Sequence, residues 1–278
     1  MTAKLWKQHF ISATELHSLD AAPIIIDCRF ELMTPENGKK SYLESHIPAA
    51  HYFDLNQDLS SAVKQHGGRH PFPDLDHFVE KLRSVGVNQD SLIVAYDDQR
   101  FAFASRLWYL CRYIGYTQIK LLDGGFSAWK NAGLPVTQAL PREVARGNIS
   151  AHVQADWLVD FDRVKTLSEA AHPHVNLIDS REEARYLGLQ EPIDPIAGHI
   201  PSAENLPWIT AVDANGHFLS AEEQAKRWDR FSVNEKETIV YCGSGVTACV
   251  NMLSLATLGI ESAKLYAGSW SDWCSYHV

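Results

Sequence analysis

The sequence predicts an α/β fold built as two tandem domains, each a mostly parallel sheet flanked by helices on both faces. Three observations predict it. Short runs of branched apolar residues, such as Leu92 to Tyr96, read as strands buried on both sides rather than as alternations with one wet face. Helical stretches lie between them, as the crossovers of a parallel sheet require. The chain also repeats itself at long period over nearly its whole length.

The elements follow in order. Ile24-Ile25-Ile26 is an apolar strand ending in Asp27-Cys28-Arg29, and Asn176-Leu177-Ile178 ends the same way in Asp179-Ser180-Arg181, 152 residues later. His46-Ile47-Pro48 returns 153 residues on as His199-Ile200-Pro201. Ser91 to Tyr96 is the next strand and Thr238 to Tyr241 its copy, which sets Asp97 opposite Cys242. Ala104 to Ile114 reads as a helix stopped by Gly115, and Ala248 to Leu258 as its copy stopped by Gly259, a residue suited to the left-handed conformation after a helix end. Gly115, Lys120, Leu121, Gly124 and Trp129 recur as Gly259, Lys264, Leu265, Gly268 and Trp273, each 144 residues later. Between the halves, from Pro135 to Ser150, periodicity is lost and polarity rises. This predicts an N-terminal domain over 1–140, a linker over 141–150 and a C-terminal domain over 151–278.

The repeated polar residues are expected to be structural. An aspartate and an arginine at a strand end pair with each other, so Asp27 with Arg29 and Asp179 with Arg181, while His46 and His199 satisfy backbone groups at a turn. Trp129, Trp270 and Trp273 follow glycine turns and are expected to pack.

Composition narrows the function. The chain has 278 residues, 45% of them hydrophobic, and a net charge of −9 from 25 basic and 34 acidic residues. That is enough apolar material for real cores and no encouragement for a nucleic-acid partner. No segment reaches membrane-spanning length and Met1 to Ile11 lacks a sustained apolar stretch, so a cytoplasmic protein is expected. The five cysteines, Cys28, Cys111, Cys242, Cys249 and Cys274, show no spacing of a zinc site and fit reduced thiols.

Cys242 stands out among them. It closes the strand Thr238 to Tyr241 and opens Gly243-Ser244-Gly245-Val246-Thr247 before the helix from Ala248. A thiol there faces backbone N–H groups with no intrahelical partner and the positive end of the helix dipole, which favour the thiolate. Two glycines beside it let backbone approach a bound group closely. A thiolate in a ring of N–H donors suits two chemistries. Phosphate ester hydrolysis needs an arginine six positions on to clasp phosphate oxygens, and that position is Ala248. Sulfur transfer needs only the anion ring, which would stabilise a cysteine persulfide as well as the thiolate.

The tandem Asp-x-Arg and His-Ile-Pro repeats, the Cys242-Gly243-Ser244-Gly245-Val246-Thr247 loop and the closing Gly268-Ser269-Trp270-Ser271-Asp272-Trp273 together resemble the two-domain rhodanese family of sulfurtransferases. The loop is similar to that of members acting on 3-mercaptopyruvate; members preferring thiosulfate carry basic residues after the cysteine. The resemblance implies two rhodanese-like domains, the C-terminal one catalytic through Cys242 and the N-terminal one an inactive copy. It implies that Arg185 meets the donor's anionic end, that Gly243, Gly245, Val246 and Thr247 surround the substrate, and that Ser244 and His70 move protons. The acidic residue that completes such a group in the family aligns with Asn56, with Asp54 two residues earlier. A second arginine that mercaptopyruvate-type members carry beyond the Arg185 position is missing from Gln190 to Ala197.

The expected activity is therefore transfer of sulfur from 3-mercaptopyruvate, through a Cys242 persulfide, to cyanide, a small thiol or a thioredoxin-like dithiol. Thiosulfate as donor is the alternative, and a non-catalytic persulfide carrier a third reading. No metal or organic cofactor, nucleic acid or membrane is implied, and a monomer is expected.

Overall fold

The computed structural model describes residues 2–169 and 172–278. Its N-terminal half contains α1 (Thr2–His9), β1 (Phe10–Ile11), α2 (Ala13–His17), β2 (Ile24–Asp27), α3 (Glu36–Glu44), β3 (His51–Tyr52), α4 (Leu75–Ser84), β4 (Ile93–Tyr96), α5 (Ala104–Tyr113), β5 (Ile119–Leu122) and α6 (Gly125–Asn131). The C-terminal half contains β6 (Leu158–Val159), α7 (Phe161–Glu169), β7 (Val175–Asp179), α8 (Glu183–Tyr186), β8 (Glu204–Asn205), α9 (Ala221–Trp228), β9 (Glu237–Tyr241), α10 (Ala248–Thr257), β10 (Lys264–Tyr266) and α11 (Ser269–Ser275).

Each half builds one five-stranded sheet, in the orders β1-β5-β4-β2-β3 and β6-β10-β9-β7-β8. Every pairing is parallel, with Ile25 level with Val94 in one sheet and Leu177 level with Ile239 in the other. The central strands are buried on both faces, which is why they read as unbroken apolar runs. Local signals start the helices: Asp74 accepts a hydrogen bond from the His77 N–H at 2.9 Å at the start of α4, and Ser220 and Glu223 form a capping box on α9.

The repeated polar residues hold the corners. Arg29 grips Asp27 through Nε and Nη2, and Arg181 grips Asp179 likewise. His46 Nδ1 lies 2.6 Å from the Tyr42 carbonyl and His199 Nδ1 2.8 Å from that of Tyr186, each imidazole stacked on its tyrosine. Trp129, Trp270 and Trp273 are buried in the cores.

The two halves share one interior. α5 and α10 pack against each other, and a single apolar cluster runs from Phe78 and Leu107 through Leu253 to Val240 and Leu265, with smaller clusters on the outer face of each sheet. All ten residues of α10 are buried, among them Asn251 and Ser254. These find partners: Asn251 donates to Ser180 Oγ and the Leu206 carbonyl, and Ser254 donates to Gln224. The segment read as a linker is a strap on the N-terminal half. Gly147 N donates to the Arg83 carbonyl, His152 N to that of Ile114, and Ile149 is fully buried.

Candidate active site

β9 ends at Tyr241 and α10 begins at Ala248, so Cys242 to Thr247 must turn the chain in six residues. Gly245 makes this possible: its φ is +73°, and a side chain there would run into the Ala267 carbonyl. The neighbouring loop fixes the turn from outside. Cys242 N donates to Ser269 Oγ at 3.1 Å, while Trp270 N and Ser271 N donate to the carbonyls of Cys242 and Gly243 at 3.0 and 2.9 Å. From the other half, Arg106 Nη1 donates to the Gly245 carbonyl at 3.0 Å. The carbonyls of Cys242, Gly243 and Gly245 are thereby engaged. The loop's backbone N–H groups from Gly243 to Ala248 donate to no group among the described residues. Cys242 opens this loop and is almost wholly buried.

The N-terminal copy shows what such a ring holds. Asp97 takes the place of Cys242, and its carboxylate accepts the N–H groups of Gln99, Phe101, Phe103 and Ala104 at 2.9 to 3.0 Å. Burial raises the Asp97 pKa, and the four donors hold that rise in check. The loop between strand and helix thus spends its N–H groups on a carboxylate in the N-terminal half and, among the described residues, leaves them unpaired beside a thiol in the other.

The N-terminal half reaches the site through His66 to His70. Gly67 and Gly68, with φ of +102° and +80°, let this loop lie flat against the C-terminal half, where a side chain on Gly68 would strike Gly268 and Ser271. Gly67 N donates to Asp272 at 2.7 Å, Arg69 N to Ser271 Oγ at 3.1 Å, and His66 stacks on Tyr276. The loop so held delivers His70, whose Nδ1 lies 2.7 Å from Ser244 Oγ. Burial first, then the positive charges of Arg106 and Arg69, lower the His70 pKa to about 3, so the imidazole is neutral at ordinary pH. No carboxylate completes the pair among the described residues. Asn56 is exposed beside α3, and Asp54 is occupied by the N–H groups of Asn56 and Gln57.

Arg185, on α8, is mostly buried and turned toward the Cys242 loop. Its Nε and Nη2 donate to Glu191 at 3.3 and 2.7 Å, and Nη2 also reaches Asp194 at 3.1 Å. Asp194 in turn accepts from Arg69 Nη1, which crosses from the other half. A side chain on Gly243 would begin 3.1 Å from Arg69 Nη2 and 3.5 Å from Arg185 Nη1, so both guanidinium groups overhang the residue after Cys242.

The structure therefore brings together Cys242, Ser244, His70, Arg185 and Gly243 and puts Gly245, Val246 and Thr247 in the turn behind them. Sequence reasoning missed Arg69, Arg106, Glu191 and Asp194. Arg69 carried a signal, since it adjoins His70 in the same glycine loop. Glu191 and Asp194 lay in the stretch noted only for lacking an arginine.

Comparison with known proteins identifies the family of both halves. The family model described as Rhodanese-like domain matches residues 12–132 and again 160–276. A Pseudomonas aeruginosa protein named Probable 3-mercaptopyruvate sulfurtransferase is 40% identical over 254 residues, 90% of this chain and 88% of that one. A Mycobacterium tuberculosis protein named Putative thiosulfate sulfurtransferase SseB is 34% identical over 275 residues, 96% and 94% of the two chains. The crystal structure of SseA from Escherichia coli, a study of the fold and mechanism of 3-mercaptopyruvate sulfotransferases, superposes with a TM-score of 0.81 at 32% identity, covering 94% of this chain and 98% of that one.

Proposed function

The chain belongs to the rhodanese-like domain family, and from that premise we propose that it is a sulfurtransferase that takes sulfur from 3-mercaptopyruvate, carries it on Cys242 as a persulfide, and passes it to cyanide or a thiol. One observation carries this reading: the unspent N–H groups around Cys242, whose twins hold the Asp97 carboxylate. An aspartate oxygen and the outer sulfur of a cysteine persulfide both stand two bonds beyond Cβ. The ring that binds one charge is shaped to bind the other.

The Cys242 thiolate attacks the sulfur of mercaptopyruvate. The carbon–sulfur bond breaks, its electron pair goes to carbon as the pyruvate enolate, and the sulfur joins Cys242. The proton on the donor thiol must reach the enolate carbon to give pyruvate and leave the persulfide anionic. Ser244 and His70 supply the route. Burial, with Arg106 and Arg69 nearby, disfavours an imidazolium on His70, so the pair passes the proton through the serine hydroxyl without storing it. Cyanide or a thiolate then attacks the outer sulfur, the sulfur–sulfur bond breaks, and the Cys242 thiolate returns with thiocyanate or a new persulfide as product. The five unbonded cysteines support a cytoplasmic setting, and a thioredoxin-like dithiol is the acceptor we favour in the cell.

Thiosulfate is the second reading, favoured by the Mycobacterium tuberculosis relative and by the absence of a second arginine beyond Arg185. Comparing kcat/KM for both donors with cyanide as acceptor decides between them. Mercaptopyruvate is expected to be preferred, and Cys242→Ser is expected to abolish turnover with either donor. Retained turnover in that variant contradicts the mechanism.

A further inference from the structure

The charged residues over Gly243 are arranged in a way that the C-terminal half alone does not explain. Arg69 and Arg185 face each other there, and Asp194 bridges them, one carboxylate oxygen on each guanidinium. Glu191 takes the remaining outer edge of Arg185 and also meets Arg181 at 3.2 Å. These contacts use Nη1 of Arg69 and Nε and Nη2 of Arg185. Arg69 Nε, Arg69 Nη2 and Arg185 Nη1 are left without a protein acceptor among the described residues, and of these Arg69 Nη2 and Arg185 Nη1 overhang Gly243.

We propose that Arg69 is a donor-binding residue: the carboxylate of a 2-oxo-acid donor is held across the domain boundary between Arg69 Nη2 and Arg185 Nη1, beside Cys242. This rests on the mercaptopyruvate reading above and deepens it. Asp194 is a positioning residue, because its carboxylate holds both guanidinium groups by their far edges and offsets the repulsion between them. Gly243 belongs to the same site, since any side chain there would occupy the space under both free nitrogens. The arginine absent beyond Arg185 is thus supplied from the N-terminal half, from a residue next to the relay histidine. Burial first, and then the facing Arg185, lower the Arg69 pKa.

The test is steady-state kinetics with 3-mercaptopyruvate and cyanide on the wild type, R69Q, R69K and R185Q, together with calorimetric binding of pyruvate to each variant made in the C242S background. R69Q is expected to raise KM on the order of tenfold to a hundredfold, the range for loss of a charge-assisted hydrogen bond, with kcat changed far less. Pyruvate binding should weaken by a similar factor. R69K should recover only part of the loss, because one compact ammonium cannot hold Asp194 and reach over Gly243 together. Should R69Q fold poorly, the double variant R69Q/D194N, which leaves no unpaired carboxylate, must show a KM rise at least as large. If R69Q or that double variant leaves KM and pyruvate binding unchanged while R185Q impairs both, the role of Arg69 is wrong and the functional reading stands. If the wild type does not turn over mercaptopyruvate at all, the functional reading itself falls.

Discussion

His70 Nδ1 and Ser244 Oγ lie 2.7 Å apart although 174 residues separate them and each comes from a different half of the chain. The contact exists because Gly67 and Gly68 let the His66 to His70 loop dock on α11, and because Arg106, fully buried, ties the His70 carbonyl and the Gly245 carbonyl to the same guanidinium. One buried side chain therefore ties the His70 loop to the Cys242 loop.

If His70 and Ser244 act as one unit, removing either removes the relay. His70→Gln and Ser244→Ala are each expected to lower kcat on the order of a hundredfold, and the double variant no further. Steady-state kcat for the three variants checks this; independent, multiplying losses would mean that the two groups act separately.

Two histidines make the fold sensitive to acid. In the folded chain, burial with Arg106 and Arg69 lowers the His70 pKa to about 3, and burial with Arg112 lowers that of His9 to about 4, against 6.5 for both when exposed. Between those values the unfolded chain binds more protons than the folded one, so stability falls as pH drops below about 6.5. Each histidine is expected to remove about 2 kcal/mol at pH 5 relative to neutral pH. Urea unfolding of the wild type and His9→Gln at pH 7 and 5 measures this, and the variant should lose less stability on acidification.

The Asp97 carboxylate is expected to serve the fold and not the reaction. Asp97→Ala leaves four buried N–H groups without their acceptor and is expected to destabilise the protein by about 3 kcal/mol while kcat of the folded fraction is unchanged. Chemical denaturation paired with kinetics separates the two effects.

The shared interior predicts a single unfolding transition. α5 against α10, with Arg106 bridging, leaves neither half a complete surface of its own. A calorimetric scan of the whole chain should show one peak. A fragment spanning 151–278 should lack activity, since it has neither His70 nor Arg69 and exposes the apolar face of α10.

Much of this was legible in the sequence because it is local or repeated. Asp27-Cys28-Arg29 against Asp179-Ser180-Arg181 marked the strand ends, and Gly115 and Gly259, both with positive φ, marked the helix stops. Cys242 and its loop were visible because strand, glycines and helix start are contiguous. What the sequence hid depends on how the halves meet. Ala248 to Leu258 read only as a helix stopped by Gly259, and its burial on every side comes from packing against α5 of the other half. Arg69 and Asp194 are 125 residues apart, and no local period reports a pair made across a domain boundary. The polar strap that includes Gly147 and Ile149 read as a loose connection, although its backbone bonds tie it to α4 and to Val87.

The persulfide on Cys242 is the centre of the account, and intact-protein mass measured after mixing with 3-mercaptopyruvate, without acceptor, tests it most directly. One added sulfur, mapped to the peptide carrying Cys242, released by cyanide and absent from Cys242→Ser, is the expected result. Release of pyruvate with no sulfur gained by the protein, or sulfur gained equally by Cys242→Ser, would contradict it.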